Sequence, residues 1–136
     1  MVYLTRVEHF NAAHRLFNKN WDDEKNFSVF GKCSNPNWHG HNYELHVTVK
    51  GEPSPDTGYI FNAKALGKIV QETIIDKVDH RNLNLEVDFL KDNFTSAENF
   101  AIAIWKELQP HIEQHGAQLH AIKLYETPRI YVEYFG

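Results

Sequence analysis

The residues best suited to chemistry lie in one short stretch, where a single cysteine, Cys33, is followed by His39 and His41. Side chains alternate between the two faces of a β-strand, so histidines two positions apart point the same way. Gly40 between them leaves room for an approaching ion. Two imidazoles on one face can share a metal ion, although ordinary hydrogen-bonded strand histidines also have this spacing.

A third ligand is needed for a catalytic zinc site, which usually has three protein ligands and one open position. His14 is the best candidate, because it shares a face with Phe10 and Ala12 if residues 7–14 form a strand. That strand would carry His14 into the same interior as the histidine pair. The spacing permits this arrangement without proving it.

The composition is that of one folded domain spanning residues 1–136, with 42% hydrophobic and 24% charged residues. A formal net charge of −4 argues against nucleic-acid binding through a broad basic field. No apolar run approaches the roughly 18–20 residues of a membrane span, and residues 1–6 do not resemble a signal peptide. We therefore expect a cytoplasmic protein that acts on a small molecule and binds neither nucleic acid nor membrane.

Cys33 is the only cysteine, so it cannot form a disulfide within the chain. It is a buried small residue, a metal ligand or a reactive thiol. The choice depends on its neighbours.

The hydrophobic pattern predicts four strands and two helices in the order strand, strand, helix, helix, strand, strand. Asn62 is a suitable N-cap for the first helix. Residues 95–98 match a capping box at the start of the second, and Gly116 marks its end. The predicted strands are residues 2–15, 40–50, 118–126 and 130–135, the helices are 62–78 and 95–115, and residues 16–32 form a loop.

Three further groups have both an ordinary and a functional interpretation. Asp79–His80 is either a helix end followed by a turn or a proton-handling pair. Glu126 is either an exposed strand end or a carboxylate that binds two adjacent donors of a guanidine-like ring edge. His111 and His115, near a helix C-terminus, are better explained as solvated side chains than as a second metal site.

Five segments, in this order, resemble the 6-pyruvoyl-tetrahydropterin synthase and 6-carboxytetrahydropterin synthase family. The resemblance covers nearly the whole chain. The segments are Phe10–Leu16, Cys33–Tyr43, Asp79–Asn84, Thr95–Asn99 and Leu124–Thr127.

The resemblance implies an α+β tunnelling fold (T-fold), in which a four-stranded antiparallel sheet carries two helices on one face. Three such subunits close a twelve-stranded barrel, and two barrels stack into a homohexamer with active sites between subunits. Barrel closure would protect the edge strands of the open sheet.

The resemblance also implies a zinc-dependent lyase that acts on 7,8-dihydroneopterin triphosphate. In it His14, His39 and His41 bind Zn²⁺, and Cys33 is the general base. Asp79 orients His80, which relays protons. Glu126 holds the pterin's amino-pyrimidine edge, with Thr95 and Ser96 as helpers at a helix N-terminus. The cations that bind the triphosphate are not identified by the motifs.

Two outcomes are possible on this scaffold. Five residues separate Cys33 from His39, which resembles the branch that forms 6-pyruvoyl-tetrahydropterin. The branch that forms 6-carboxy-5,6,7,8-tetrahydropterin for queuosine biosynthesis, with release of acetaldehyde, more often has three.

A non-catalytic zinc or pterin binder would use Cys33 as a fourth ligand in a closed site. A metallohydrolase would release phosphate without changing the pterin.

Overall fold

The computed structural model describes residues 1–136 and has an α+β fold built on one sheet. The strands are β1 (Val2–His14), β2 (His39–Gly51), β3 (Arg81–Asn82), β4 (Gln118–Thr127) and β5 (Ile130–Tyr134). The helices are α1 (Asp23–Phe30), α2 (Ala63–Val70), α3 (Asp76–Val78) and α4 (Ala97–Glu113). None of the helices is both long enough and apolar enough to cross a bilayer.

The sheet has five strands in the order β3-β1-β2-β4-β5, so the prediction of four antiparallel strands is wrong in two respects. β1, β2, β4 and β5 pair antiparallel as expected, but β3 adds a fifth strand that runs parallel to β1. The fifth strand is only two residues long and pairs with Ala12 and Ala13. So short a segment has no period of its own, and it becomes a strand only because the chain returns to the edge of β1.

One face of the sheet carries the core, and the predicted alternation of side chains is confirmed. Phe10 and Ala12 of β1 are buried, as are Tyr43, Leu45 and Val47 of β2. Helix α4 packs its apolar stripe onto this layer, and its fully buried residues are Phe100, Ile104, Leu108 and Ile112. The same alternation that buries these residues turns the site histidines inward.

The helical segment 63–78 is less regular than predicted. Asn62 is the N-cap, as expected, and its side chain accepts hydrogen bonds from the backbone N–H groups of Lys64 and Ala65. A π-helical turn, Gln71–Ile75, then separates α2 from α3. Three consecutive residues of this turn are buried, Thr73, Ile74 and Ile75, which the wider turn accommodates. Asp79 and His80 follow directly after α3.

The segment predicted as a loop, residues 16–32, contains α1, so this prediction is wrong. Asp22 caps the helix by accepting a hydrogen bond from the backbone N–H of Lys25, and its only buried residue is Asn26. The Asn26 amide donates to the carbonyl oxygens of Asn18, Trp21 and Asp22. Polar contacts rather than an apolar stripe hold this helix, so hydrophobic periodicity cannot reveal it.

Candidate active site

The three predicted metal ligands lie together at one end of the β1–β2 pair. His14, the last residue of β1, pairs directly with His39, the first residue of β2. His41 follows on the same face, and one nitrogen from each of the three rings lies within 4.8 Å of the others. Strand pairing and side-chain alternation therefore assemble the triad without any loop rearrangement.

The facing ring nitrogens have no hydrogen-bond partner. Four ring nitrogens of the triad are buried and unpaired: Nε2 of His14, both nitrogens of His39 and Nε2 of His41. An unpaired buried polar atom costs about 1–3 kcal/mol, so four in one cluster need an explanation. Three imidazoles with free nitrogens are a donor set that zinc favours. The residues present therefore fit a zinc ion.

The tautomer of His14 is set by a backbone contact. His14 is 1% exposed, and its Nδ1 lies 2.8 Å from the carbonyl oxygen of Thr95. Because a carbonyl only accepts hydrogen bonds, Nδ1 carries the proton and Nε2 keeps its lone pair. His14 is thus presented to the cluster in the form that binds a metal.

Burial also keeps two of the histidines neutral. Burial lowers the pKa of His14 to about 4; the bond to Thr95 opposes this shift, and the neighbouring rings of His39 and His41 add to it. Burial and the nearby His41 likewise lower the pKa of His39. At neutral pH, protons therefore do not compete with a metal ion for these two rings.

The low pKa of His14 predicts how the stability of the metal-free protein changes with pH. Between its ordinary value of 6.5 and about 4, the unfolded chain takes up a proton at His14 that the folded chain does not. The free energy of unfolding should therefore fall as the pH drops through this window, by up to about 3 kcal/mol from this residue. Urea unfolding in chelator at pH 7, 6, 5 and 4 measures the slope.

A His14→Gln variant is the comparison for this pH prediction, because glutamine does not titrate. Its unfolding free energy should depend less steeply on pH between 6.5 and 4 than that of the unmodified protein. Equal slopes for the two proteins would show that His14 titrates normally in the folded state.

Glu126 lies beside the triad. Its Oε1 is 3.7 Å from Nε2 of His41, and its Oε2 is 4.0 Å from Nε2 of His14. These distances exceed those of hydrogen bonds, so the carboxylate does not occupy the histidine nitrogens. The β4–β5 register shifts between Tyr125 and Thr127, which leaves Glu126 without a partner residue on β5. Such a bulge can redirect a side chain, here toward the site.

Tyr43 belongs to the same cluster, although the sequence indicated only that its ring faces the core. The ring stacks on Phe10 at 4.9 Å, and its centroid lies 5.6 Å from that of His41. The hydroxyl is buried and has no hydrogen-bond partner. Burial, with a contribution from the charge of Glu126, raises the pKa of Tyr43, so the hydroxyl keeps its proton and remains a donor.

Removal of this hydroxyl should not destabilise the protein. Because the group is unpaired, Tyr43→Phe should leave the free energy of unfolding of the metal-free protein unchanged or raise it by about 1 kcal/mol. If the hydroxyl donates to bound substrate, the same variant loses turnover. Urea unfolding and steady-state kinetics separate the two effects, with Tyr134→Phe as the control. A loss of more than about 1 kcal/mol of stability would show that the hydroxyl has a partner within the chain.

The side chains of Asp79 and His80 contact each other directly after the end of α3. Oδ1 of Asp79 lies 2.9 Å from Nδ1 of His80 and also accepts a hydrogen bond from the backbone N–H of Asn11. The backbone N–H of His80 donates to the carbonyl of Asn11. These bonds hold His80 in a left-handed conformation, with φ of 59°. The ring is 76% exposed at the edge of β1 and is free to meet another molecule.

Cys33 lies in a 3₁₀ turn, Gly31–Ser34, with a half-buried free thiol. Its carbonyl accepts a hydrogen bond from the backbone N–H of Leu16, two residues after His14. The thiol is not part of the group of ligand atoms that the three histidines form. This arrangement favours an open metal site over a closed one with Cys33 as fourth ligand.

The structure does not join Cys33 to the Asp79–His80 pair within one chain. Neither Asp79 nor His80 makes a hydrogen bond or ion pair with Cys33 or with the histidine triad. The predicted catalytic residues therefore fall into two groups. The backbone of Cys33 is bonded to the chain just after His14, at the end of β1. The Asp79–His80 pair lies beside Asn11, at the outer side of the same strand.

Thr95 and Ser96 both form hydrogen bonds within the chain at the start of α4. The N-cap of α4 is Ser96, whose hydroxyl accepts a hydrogen bond from the backbone N–H of Asn99, so the capping box that begins at Thr95 is wrong by one residue. Thr95 is 1% exposed, and its hydroxyl lies 3.2 Å from Oδ1 of Asn84 and 3.3 Å from the carbonyl of Arg15. Both hydroxyls are engaged within the chain, and their contact with substrate stays a prediction.

His111 and His115 are both exposed, as expected for solvated side chains near the end of a helix.

Comparison with known proteins places these features in one family. The family described as 6-pyruvoyl tetrahydropterin synthase matches residues 3–136. A Pongo abelii protein named 6-pyruvoyl tetrahydrobiopterin synthase is 45% identical over 127 residues, which covers 93% of this chain and 86% of that protein. A Bacillus subtilis 6-carboxy-5,6,7,8-tetrahydropterin synthase is 27% identical, covering 96% of this chain and 83% of that protein.

A solved structure agrees with the fold. The Caenorhabditis elegans 6-pyruvoyl tetrahydropterin synthase superposes with a TM-score of 0.92 at 37% identity, covering 99% of this chain and 95% of that one. The T-fold expected from the sequence motifs is therefore confirmed, with the fifth strand as the correction.

Proposed function

The chain belongs to the 6-pyruvoyl tetrahydropterin synthase family, and from this premise we propose that it is a zinc-dependent lyase. The substrate is 7,8-dihydroneopterin triphosphate, and the product is 6-pyruvoyl-tetrahydropterin, formed with loss of triphosphate. The observation that carries the proposal is the buried triad of unpaired histidine nitrogens with Glu126 beside it.

Two observations support the pyruvoyl branch over the carboxy branch. The relatives named as pyruvoyl-forming synthases reach 45% identity, whereas the carboxy-forming Bacillus subtilis relative reaches 27%. The five residues between Cys33 and His39 agree with this preference.

The zinc ion proposed here would be held by Nε2 of His14 and by ring nitrogens of His39 and His41. When bound, it supplies Lewis acidity toward an oxygen of the substrate side chain, which makes a proton on the adjacent carbon easier to remove. The donor set supports zinc, because structural and catalytic zinc both take neutral imidazoles.

Glu126 is the proposed anchor of the pterin. A carboxylate accepts two parallel hydrogen bonds, and the amino-pyrimidine edge of a pterin offers two adjacent N–H donors, as a guanidinium does. Glu126 lies within 4.0 Å of two triad nitrogens, so it can hold the ring next to the metal ligands. Tyr43 adds a buried donor to the same cluster.

Cys33 and the Asp79–His80 pair are the proposed proton carriers. The thiolate of Cys33 removes a proton from the substrate side chain. The carboxylate of Asp79 accepts a hydrogen bond from Nδ1–H of His80, which leaves Nε2 free to take up or release a proton. His80 then exchanges protons with Cys33 or with the pterin ring.

A homohexamer would bring the two groups together. His80 is exposed at the edge of β1 and is not bonded to Cys33 of its own chain. We propose that the Asp79–His80 pair of one subunit completes the site of a neighbour. Pairing of the β5 edge, and of the part of the β1 edge that β3 does not cover, with neighbouring subunits would also satisfy their free backbone groups.

The experiment that tests the function is mass spectrometry of the products after anaerobic incubation of zinc-loaded protein with 7,8-dihydroneopterin triphosphate. A 6-pyruvoyl pterin with free triphosphate supports the proposal. A 6-carboxy pterin with acetaldehyde would assign the protein to the other branch. Unchanged substrate in the presence of bound zinc would overturn the enzyme proposal in favour of a binder. A chelator-treated sample is the control and should be inactive.

A further inference from the structure

The chain just beyond His14 is held by the side chain of Asn84. The backbone N–H of Arg15 donates to Oδ1 of Asn84, and Nδ2 of Asn84 donates to the carbonyl of Arg15, both at 3.0 Å. This two-bond pairing is what one residue of an antiparallel neighbouring strand would provide. Strand pairing between β1 and β3 ends at Asn82, and the side-chain amide of Asn84 binds the backbone of β1's continuation beyond that point.

The same amide reaches the backbone that contacts His14. The hydroxyl of Thr95 donates to Oδ1 of Asn84 or to the carbonyl of Arg15, at 3.2 and 3.3 Å. The carbonyl of Thr95 accepts the hydrogen bond from Nδ1 of His14 at 2.8 Å. Asn84, Thr95, Arg15 and His14 thus form one closed network, and Thr95 within it is buried.

We propose that Asn84 is a positioning residue for the metal centre. Through Thr95 it holds the carbonyl that keeps the proton of His14 on Nδ1, so that Nε2 faces His39 and His41 with its lone pair free. This inference rests on the zinc site of the proposed function, and it gives Asn84 and the Thr95 hydroxyl a role in metal binding rather than in substrate contact.

The choice of tautomer has consequences because a second acceptor stands on the opposite side of the ring. Oε2 of Glu126 lies 4.0 Å from Nε2 of His14. If the Thr95 carbonyl moved away, the proton would shift to Nε2 and be donated to Glu126 after a small movement of either side chain. With the proton on Nε2, His14 could not bind the metal through that atom, and Glu126 would be engaged by His14 and not by substrate. Asn84 stabilises the productive alternative.

The test compares Asn84→Ala with the unmodified protein in two measurements. In metal-free protein, ¹⁵N NMR of the His14 ring distinguishes the two neutral tautomers directly. The unmodified protein should show the Nδ1–H form, and Asn84→Ala should populate the Nε2–H form. The Kd for zinc, measured by competition with a chelating dye, should rise about 10–100-fold, as is typical when a group that supports a metal ligand is lost.

Asn26→Ala is the matched control. Asn26 is a buried asparagine whose side chain, like that of Asn84, bonds to several backbone groups, but it lies in α1 and makes no hydrogen bond to any of the three histidines. It should destabilise the fold without changing the His14 tautomer or the Kd for zinc. An equal change in both variants would show that the effect is general loosening of the fold and would overturn the inference.

A second pair keeps the inference testable if Asn84→Ala does not fold. Thr95→Val keeps the shape and the carbonyl but loses the hydroxyl, whereas Thr95→Ser keeps both polar groups. Zinc binding should weaken in the valine variant and be restored in the serine variant. The inference would be overturned if Asn84→Ala kept the His14 tautomer and the Kd for zinc of the unmodified protein. If Asn84→Ala does not fold, the same result in Thr95→Val would overturn it. Failure of the unmodified protein to bind zinc would overturn the proposed function instead, while the tautomer measurement in metal-free protein would still decide the role of Asn84.

Discussion

Cys33→Ala should reduce turnover by about 10²–10⁴-fold while the protein still binds zinc through its three histidines. The thiolate is the proposed base, and alanine cannot accept a proton. The histidine nitrogens that form the metal-ligand group lie within 4.8 Å of one another without the thiol, so the metal site does not depend on it. Measurement of kcat, together with zinc content by elemental mass spectrometry, tests both halves of this expectation.

Cys33→Ser is the conservative companion to this variant. It preserves size and polarity, but its hydroxyl is not ionised at neutral pH, so it should be nearly as inactive as the alanine variant. Loss of zinc together with the thiol would identify Cys33 as a fourth ligand and the site as closed. Full activity of either variant would remove Cys33 from the mechanism.

His39→Ala should abolish tight zinc binding with little effect on the metal-free fold. Both ring nitrogens of His39 are unpaired, so its removal breaks no hydrogen bond, in contrast to His14 with its bond to Thr95. Loss of one of three direct ligands should raise the Kd for zinc by more than the roughly 10–100-fold expected for loss of a supporting group. Turnover should fall with zinc occupancy.

Thermal unfolding with and without zinc provides the measurement for His39→Ala. A ligand present at about 100 times its Kd stabilises a folded protein by about 2.7 kcal/mol, so zinc should raise the Tm of the unmodified protein. The variant should show no such increase at the same zinc concentration. His111→Ala, at an exposed position in the last turn of α4, is the control and should respond as the unmodified protein does. An undiminished zinc response in His39→Ala would disprove the triad.

Backbone strain is concentrated near the proposed site. Trp38 and His80 are two of the three non-glycine residues with positive φ, at 69° and 59°. Trp38 immediately precedes His39, and His80 is itself a proposed proton carrier. Such conformations cost about 1–3 kcal/mol and persist only where surrounding contacts impose them. The bonds between His80, Asp79 and Asn11 are those contacts at one of the two positions.

The sequence by itself determined the inward-facing residues of the long strands. Alternation in a strand is a local property, so the spacing of His39 and His41 already placed both rings on one face, and the pattern around His14 made it the best candidate for the matching face. The N-cap at Asn62 was equally local, because its partners lie two and three residues away. The predicted triad and the predicted cap are therefore both present in the structure.

Tertiary structure alone decided the contacts between segments far apart in the chain. Strand β3 exists only because the chain returns to β1. Helix α1 is held by polar hydrogen bonds, so its sequence has no hydrophobic periodicity that would reveal it. The bond from His14 to Thr95 joins residues 81 positions apart, and that from Arg15 to Asn84 spans 69. No local pattern encodes such pairings, because they depend on the path of the whole chain. For this reason the sequence predicted the metal ligands but not Tyr43 and Asn84, the residues that complete their surroundings.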